Sequence, residues 1–159
     1  KAMAEKLIVE KNGLVIRLSK VVGPNFQRFK NWADHLQQEK PIQCREDLNT
    51  SLISIAEVIN LSQHCIANNI RGIVHYTGPE DKSYFEIGCT IADLLGVRKE
   101  LVLRDRLSNC IEDATPGNST LQNSNFISDI NIQSPTTREL LSEWLINYGY
   151  RDETMADEI

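Results

Sequence analysis

Two short apolar runs in the pattern of hydrophobic and polar positions each predict a buried β-strand. Leu14 to Ser19 and Gly72 to Thr77 both contain neighbouring β-branched residues. Such runs are typical of parallel strands that are covered on both faces. Each run is followed by a Gly-Pro turn, at residues 23–24 and 78–79. The pattern therefore predicts at least two parallel strands.

Five longer segments have apolar residues at three- and four-residue steps, which predicts amphipathic helices. They are residues 2–11, 25–40, 54–68, 83–95 and 136–148. Ser83 with Glu86, and Thr136 with Glu139, form capping boxes, and this arrangement marks the start of a helix. Glycines at 96 and 149 are expected to end the two helices that these boxes open.

The alternation of strands and helices predicts an α/β fold for residues 1–150. Two shorter strands are expected at Pro41 to Glu46 and at Glu100 to Arg104. Asn109 to Gln133 is rich in Asn, Ser and Thr, which predicts a long loop, and loops of this length are uncommon unless they are functional. The acidic tail from Arg151 to Ile159 is expected to be frayed.

The composition is that of one globular domain. The chain has 159 residues, of which 41% are hydrophobic and 25% are charged, and its net charge is -5. Nucleic acids and anionic membranes bind clustered lysines and arginines, so this charge argues against both as partners. An anionic ligand must therefore be bound by a local group of positive charges.

The four cysteines, Cys44, Cys65, Cys89 and Cys110, are widely spaced and form no Cys-x-x-Cys pair. Their spacing favours reduced thiols in a cytoplasmic protein over a zinc site or a disulfide framework. No apolar run in the sequence reaches the roughly 20 residues that a membrane-spanning helix needs. The sequence therefore favours a protein without a metal centre or a membrane segment.

Few residues suggest catalytic chemistry by themselves. A dinucleotide-binding turn needs glycines two residues apart, and no two of the eight glycines have that spacing. Gly78-Pro79 is therefore expected to be a plain connection. His75 lies inside a predicted strand, which favours a hydrogen-bonded core residue over a catalytic base. Glu80-Asp81 favours a solvated turn over a metal site.

Three stretches taken together resemble the extended short-chain dehydrogenase/reductase family. Val15 to Pro24 (VIRLSKVVGP) is similar to the Arg-x-Ser/Thr-x-x-x-Gly-Pro segment that follows the family's sixth strand. Gly72 to Gly78 (GIVHYTG) and the helix after it are similar to the seventh strand and its helix. Thr115 to Leu121 (TPGNSTL) resembles the Arg-Pro-x-Asn-Ser-x-Leu loop of one branch, dTDP-4-dehydrorhamnose reductase.

The resemblance implies the C-terminal part of a Rossmann-like enzyme, with parallel strands, flanking helices and a small substrate-binding lobe. Such enzymes use NAD or NADP to reduce or oxidise a sugar, while a Tyr-x-x-x-Lys pair handles the proton. Lys1 to Glu5 (KAMAE) resembles the continuation of that motif. The resemblance therefore implies that Lys1 is catalytic and binds the cofactor, with the tyrosine and the glycine-rich turn upstream. An ordinary surface lysine is the alternative.

The resemblance also implies a set of binding residues. The nicotinamide and the sugar would be faced by Ser19, Lys20 and Val21. The nucleotide sugar would be bound by Asn25, Asn49, Ser51 and Asn118, since amides and hydroxyls can bond phosphate and sugar oxygens. Turn and cap chemistry is the alternative for each of these four. Arg17 is expected to form a structural ion pair instead.

Four residues depart from the pattern of the rhamnose branch and leave the substrate open. Lys20 replaces an aromatic residue, Leu52 a proline and Glu57 an aspartate. Thr115 replaces an arginine, which removes a cationic fork suited to phosphate. Catalysis itself is in question for the same reason.

Three functions remain open. In the first, the intact protein is an NAD- or NADP-dependent nucleotide-sugar reductase, epimerase or dehydratase that forms a homodimer, and this chain is its substrate-binding half. That function predicts weak binding of NADPH by the isolated chain. In the second, the protein is a non-catalytic subunit that resembles the β subunit of methionine adenosyltransferase and binds a partner enzyme. In the third, the chain is a complete ligand- or protein-binding protein.

Overall fold

The computed structural model describes residues 2–106, 121–124, 132 and 134–150. The helices are α1 Ala2–Glu10, α2 Gln27–Gln37, α3 Ile55–Ala67, α4 Tyr84–Leu94 and α5 Thr137–Asn147, with a short 3-10 helix at Lys99–Leu101. The strands are β1 Leu14–Leu18, β2 Lys20–Val22, β3 Ile42–Arg45, β4 Asn49–Ser54, β5 Gly72–Tyr76, β6 Asp81–Ser83 and β7 Val102–Asp105. The order confirms the predicted α/β class. The predicted acidic tail, residues 151–159, lies outside the described residues.

Parallel pairs dominate the sheet structure. β1 pairs with β5 in register from Leu14 opposite Gly72 to Leu18 opposite Tyr76. The chain bends at Ser19, and β2 then pairs in parallel with β4, which also pairs in antiparallel with β6. β3 and β7 form a third, parallel pair. The two predicted parallel strands are confirmed, and three further short strands, β2, β4 and β6, were missed.

Two element boundaries differ from the prediction. The predicted helix from Asn25 begins at Gln27, because residues 24 and 25 form a turn after β2 and Phe26 is the N-cap. The predicted strand from Glu100 begins at Val102, because a 3-10 turn takes up residues 99–101. The remaining predicted helices agree with the structure to within a few residues, which is the usual precision for helix ends.

Two apolar clusters form the core. The first lies between the β1–β5 pair and α3, and its fully buried members are Ile53, Leu61, Cys65, Val74 and Tyr76. The second joins α2, β3, α4, β7 and α5, and its largest buried members include Phe29, Leu36, Ile87, Ile91 and Leu141. Burying one such side chain stabilises the fold by about 1.5–3 kcal/mol. The second cluster is the core of a lobe beside the β1–β5 pair.

Aromatic contacts hold the helices of this lobe together. The Phe29 ring on α2 meets the Trp144 ring on α5 edge to face, with centroids 6.1 Å apart. Trp32, one turn further along α2, meets Tyr84 of α4 in the same way at 6.2 Å. The indole Nε1 of Trp144 also donates a hydrogen bond to the carbonyl oxygen of Gly23 at 3.1 Å. α2 therefore has a fixed position between α4 and α5.

Three capping boxes fix the starts of the helices. Ser83 with Glu86 and Thr136 with Glu139 both form the predicted reciprocal hydrogen bonds. The third box, formed by Ser54 at the start of α3, was not predicted. Gly96 and Gly149 follow α4 and α5 at φ +66 and +70, which confirms that they end these helices.

His75 and Glu80 differ from their predicted environments, whereas Arg17 agrees with its prediction. His75 is half-buried rather than a full core residue, and its Nε2 lies 3.3 Å from Nη1 of Arg17. Arg17 forms the expected ion pair, with Nη2 at 2.5 Å from Oε2 of Glu5 on α1. Glu80 does not lie in a purely solvated turn, because its Oε2 accepts a hydrogen bond from the backbone N–H of Thr137 at 2.9 Å. It therefore tethers the start of α5.

The α4 capping box predicts a pH dependence of stability. The backbone N–H and hydroxyl of Ser83 donate hydrogen bonds to Glu86, which lowers the pKa of this carboxyl below its ordinary value near 4.5. A carboxyl whose pKa is lower in the folded state stabilises the fold fully at pH values above its ordinary, unfolded-state pKa. That stabilisation is lost as the pH falls through the lowered, folded-state pKa. We expect Glu86→Gln, which keeps the hydrogen-bond acceptor but loses the negative charge at the helix start, to reduce the free energy of unfolding by about 0.3–1 kcal/mol at pH 7.

Urea unfolding at pH 7 and below pH 4 measures this effect, and the difference between Glu86→Gln and the unchanged protein should shrink at the lower pH. Glu100→Gln, at an exposed residue of the 3-10 turn, is the control and should have little effect. A Glu86→Gln effect of equal size at both pH values would contradict the prediction.

Candidate functional site

The predicted cofactor residues lie where the chain passes from one strand pair to the next. Ser19 follows β1, and its backbone N–H donates to the carbonyl oxygen of Tyr76 at 3.1 Å. Lys20 and Val21 belong to β2 and lie opposite Leu52 and Ile53 of β4. These three residues are thus at the carboxyl end of β1, where open α/β sheets bind their ligands. Their contact with a nicotinamide stays a prediction.

The side chains of Lys20 and Val21 have different surroundings. The amine of Lys20 lies 5.7 Å from the centre of the Phe26 ring, within the range of a cation–π contact. Val21 is half-buried and packs against the first apolar cluster. Lys20 therefore has the more accessible functional group of the two.

The predicted sugar-binding residues are only partly brought together. Ser51 is fully buried in the middle of β4, and Asn49, half-buried, begins the same strand opposite Ser83. Asn25 is exposed in the turn before α2. Lys1 and Asn118 lie outside the described residues, as does the Thr115–Thr120 part of the resembling loop.

Next to Asn49 is a cleft of about 360 Å³ that the sequence did not predict. It is lined by Arg28, Trp32, Gln43, Arg45, Leu48 and Tyr84, and we call it the basic–aromatic cleft. The backbone N–H of Tyr84 donates to the carbonyl oxygen of Leu48 at 3.2 Å, which connects the start of α4 to the segment before β4. The cleft therefore adjoins the strand that carries two predicted sugar ligands.

The charges of the cleft are positioned by aromatic and acidic neighbours. The guanidinium of Arg28 lies 4.6 Å from the centre of the Tyr84 ring, within the range of a cation–π contact. Arg45, at the end of β3, has its Nε at 2.6 Å from Oδ1 of Asp47. A guanidinium can donate two parallel hydrogen bonds, the geometry that suits phosphate, and that of Arg45 already has a carboxylate partner. Arg28 is the better placed of the two to bind an anion.

Asn123 and Ser124 lie along the edge of β5 that is not paired with β1. The Oδ1 atom of Asn123 accepts a hydrogen bond from the N–H of Thr77 at 2.8 Å, and its Nδ2 donates to the carbonyl oxygen of Thr77 at 3.3 Å. Ser124 likewise accepts from the N–H of His75 at 2.9 Å through its Oγ and donates its own N–H to the His75 carbonyl at 3.0 Å. These two residues thus complete the backbone hydrogen bonds of the β5 edge.

A buried carboxylate and a tyrosine connect β5 to α3. The hydroxyl of Tyr76 donates to Oε1 of Glu57 at 2.9 Å and also contacts Oγ of Ser134 at 2.9 Å. Burial raises the pKa of Tyr76 to about 12, so this phenol stays protonated at neutral pH. Its role is to donate a hydrogen bond to the buried carboxylate of Glu57, which also caps α3, and not to transfer a proton in catalysis.

The described cysteines and acids form no metal centre. Cys44 and Cys65 are buried, as predicted for core thiols, while Cys89 is half-buried. Burial raises the pKa of the Cys44 thiol to about 12, so it stays uncharged. Within residues 2–106, 121–124, 132 and 134–150, no three His, Cys, Asp or Glu side chains are grouped to hold a metal ion.

In the same part of the chain no helix is sufficiently long and apolar to cross a membrane.

Solved enzyme structures share this arrangement of strands and helices. The dTDP-4-dehydrorhamnose reductase of Bacillus anthracis, in complex with NADP, is 20% identical over 86% of this chain and 48% of its own, with a TM-score of 0.68. The chain has the fold of part of an extended short-chain dehydrogenase/reductase. No protein-family model and no curated protein matches the sequence.

Two further enzymes with this dehydrogenase fold support the assignment. The dTDP-glucose 4,6-dehydratase of Bacillus anthracis, in complex with NAD, has a TM-score of 0.76 over 96% of this chain and 51% of its own, at 15% identity. WbmG of Bordetella bronchiseptica, in complex with NAD and UDP, has a TM-score of 0.66 over 89% of this chain and 46% of its own, at 14% identity. The chain spans about half the length of the enzymes that it matches.

The β5 edge gives a site-specific prediction. Asn123→Ala removes the acceptor for the Thr77 N–H, so we expect the Thr77 amide to exchange with solvent on the order of tenfold faster, the effect of losing a hydrogen bond of about 1 kcal/mol. Residue-resolved hydrogen exchange by NMR measures it. Ser124→Ala is the matched control, because it should accelerate the amide of His75 and leave that of Thr77 unchanged. Equal protection of Thr77 in Asn123→Ala would contradict the assignment.

Proposed function

We propose that this chain is the substrate-binding half of an NAD- or NADP-dependent nucleotide-sugar oxidoreductase, with reduction of a 4-keto nucleotide sugar as its reaction. The basic–aromatic cleft is the observation that carries the proposal. The fold of the chain and its length relative to similar enzymes support it. A fold alone does not determine which ligand a protein binds, whereas the cleft groups side chains that suit one class of ligand.

The cleft suits a nucleotide diphosphate for reasons of charge and shape. The protein has a net charge of -5, so an anionic ligand needs a local positive group, and Arg28 and Arg45 form one. Trp32, which is half-buried, supplies a flat apolar ring against which a base can stack, and the buried Tyr84 ring supports it edge to face. Gln43 adds an amide that can both donate and accept hydrogen bonds.

The sugar would extend from the cleft toward the carboxyl end of β1. We propose as its ligands Asn49 and Ser51 of β4, Asn25 from the turn before α2, and Asn118. Ser19, Lys20 and Val21 would hold the nicotinamide end of the cofactor, which supplies hydride when bound. Lys1, with a tyrosine upstream, would position and transfer the proton.

Binding of dTDP or UDP to this chain, measured by calorimetry, tests the cleft. We expect Arg28→Ala to weaken binding about 10- to 100-fold, because a charge-assisted hydrogen bond contributes roughly 1.5–3 kcal/mol. Arg71→Ala removes an exposed arginine whose Nη2 donates to the nearby Asn69 side chain, and it should leave binding unchanged. Equal losses in both variants would indicate nonspecific attraction and contradict the cleft as the site.

NADPH oxidation by the longer protein with a 4-keto nucleotide sugar tests catalysis. We expect Lys1→Ala to lose most of the turnover, since the lysine is proposed to stabilise the tyrosinate and to bind the nicotinamide ribose. Lys6→Ala, at an exposed lysine on α1, is the control and should keep it. Unchanged turnover in Lys1→Ala would overturn the role of Lys1. Nucleotide binding without any turnover in the unchanged protein would favour the non-catalytic subunit.

A further inference from the structure

The bend at Ser19 brings two strand pairs together at one point. Continuing the β1–β5 register by one residue places Ser19 beside Thr77, and continuing the β2–β4 register back by one residue places Ser19 beside Ser51. Gly78 lies against β4, because a Cβ at this position would come within 2.1 Å of the Leu52 carbonyl oxygen and 2.9 Å of the Ser51 Oγ. Ser19, Ser51 and Thr77 are therefore neighbours.

The hydroxyls of these three residues have an unusual environment. Ser51 is 0% exposed and Thr77 is 9% exposed, and all three hydroxyl oxygens are buried. None of the three has a hydrogen-bond partner in the part of the chain that the structure describes. The hydroxyls of Ser54, Ser83 and Thr136, in contrast, all bond to neighbouring backbone or carboxylate groups. Buried polar groups in folded proteins almost always have a partner.

We propose that Ser19, Ser51 and Thr77 form an internal water site at the strand switch. Each hydroxyl can both donate and accept, so together they offer the two to four polar contacts that a buried water makes. A divalent cation would require carboxylates or carbonyls, and an anion would require N–H donors or positive charge. The three neutral hydroxyls match neither requirement as well as they match water.

The lack of a side chain at Gly78 leaves room beside the hydroxyl of Ser51. Alanine at this position would put a methyl group against the Ser51 hydroxyl and the Leu52 carbonyl. Glycine therefore lets β4 and the end of β5 approach closely while the hydroxyl of Ser51 stays free to bind water. The water site shares Ser19 and Ser51 with the proposed ligand set, but it can be tested without any ligand, because it depends on how the strands meet.

Water-selective NMR on the unchanged protein tests the proposal directly. We expect a cross-peak between a long-lived water and the Thr77 methyl group, and its loss in Thr77→Val, which keeps the shape but removes the hydroxyl. Thr77→Ser keeps the hydroxyl, and a crystal structure of that variant should still show an ordered water within hydrogen-bond distance of residue 77. A folded, unchanged protein without the cross-peak would overturn the proposal.

Unfolding midpoints provide a second and independent measurement. If the hydroxyls bind water, Thr77→Val and Ser51→Ala should each lower the urea midpoint, because each removes a partner of the water. If no water binds there, each substitution removes a buried hydroxyl that has no hydrogen-bond partner, and the urea midpoint should rise in both variants. This result would overturn the proposal. Thr90→Val is the control, since the Thr90 hydroxyl bonds to the Glu86 carbonyl oxygen on the outside of α4.

Discussion

The bend between β1 and β2 determines where functional groups can lie in this fold. β1 pairs with β5 up to Leu18, and from Lys20 onward the chain pairs with β4 instead. Ser19 lies between the two ladders, and its backbone N–H still donates to the Tyr76 carbonyl oxygen at 3.1 Å. The carboxyl ends of β1 and β5 and the middle of β4 consequently meet there, beside the lobe that carries the basic–aromatic cleft.

The lobe brings positive charge next to aromatic rings in an acidic protein. The guanidinium of Arg28 lies over Tyr84, and Tyr84 follows directly after the capping residue Ser83. The capping box thus fixes the start of α4 and, through it, the ring on which the guanidinium lies. Trp32, one helical turn after Arg28, closes the cleft from the same face of α2. The shape of the basic–aromatic cleft therefore depends on the capping box at the start of α4 and on the contact between Trp32 and Tyr84.

The helices and the apolar strands β1 and β5 could be predicted from the sequence, because their signals are local. Capping boxes and apolar periodicity lie within a few residues of the structure they specify. β4 could not be predicted, since Asn49, Thr50 and Ser51 are polar and form a strand only by pairing with β2 and β6. The cleft was missed for a similar reason: Trp32 fits an apolar helical stripe, and only the packing of α4 shows that it is half-buried beside a second aromatic ring.

The departures from the rhamnose-branch pattern do not all bear on activity. Glu57 replaces an aspartate, yet its carboxylate accepts from the Ser54 N–H at 2.7 Å and from the Tyr76 hydroxyl at 2.9 Å. A buried carboxylate with two such donors is a stabilising part of the core, and the longer side chain is what lets it reach Tyr76 while it caps α3. Lys20 is different, because its amine lies 5.7 Å from the centre of the Phe26 ring at the carboxyl end of β1, where the resemblance predicts the nicotinamide. Of these two departures, Lys20 is therefore the one that bears on the predicted cofactor site, and Glu57 bears on the core.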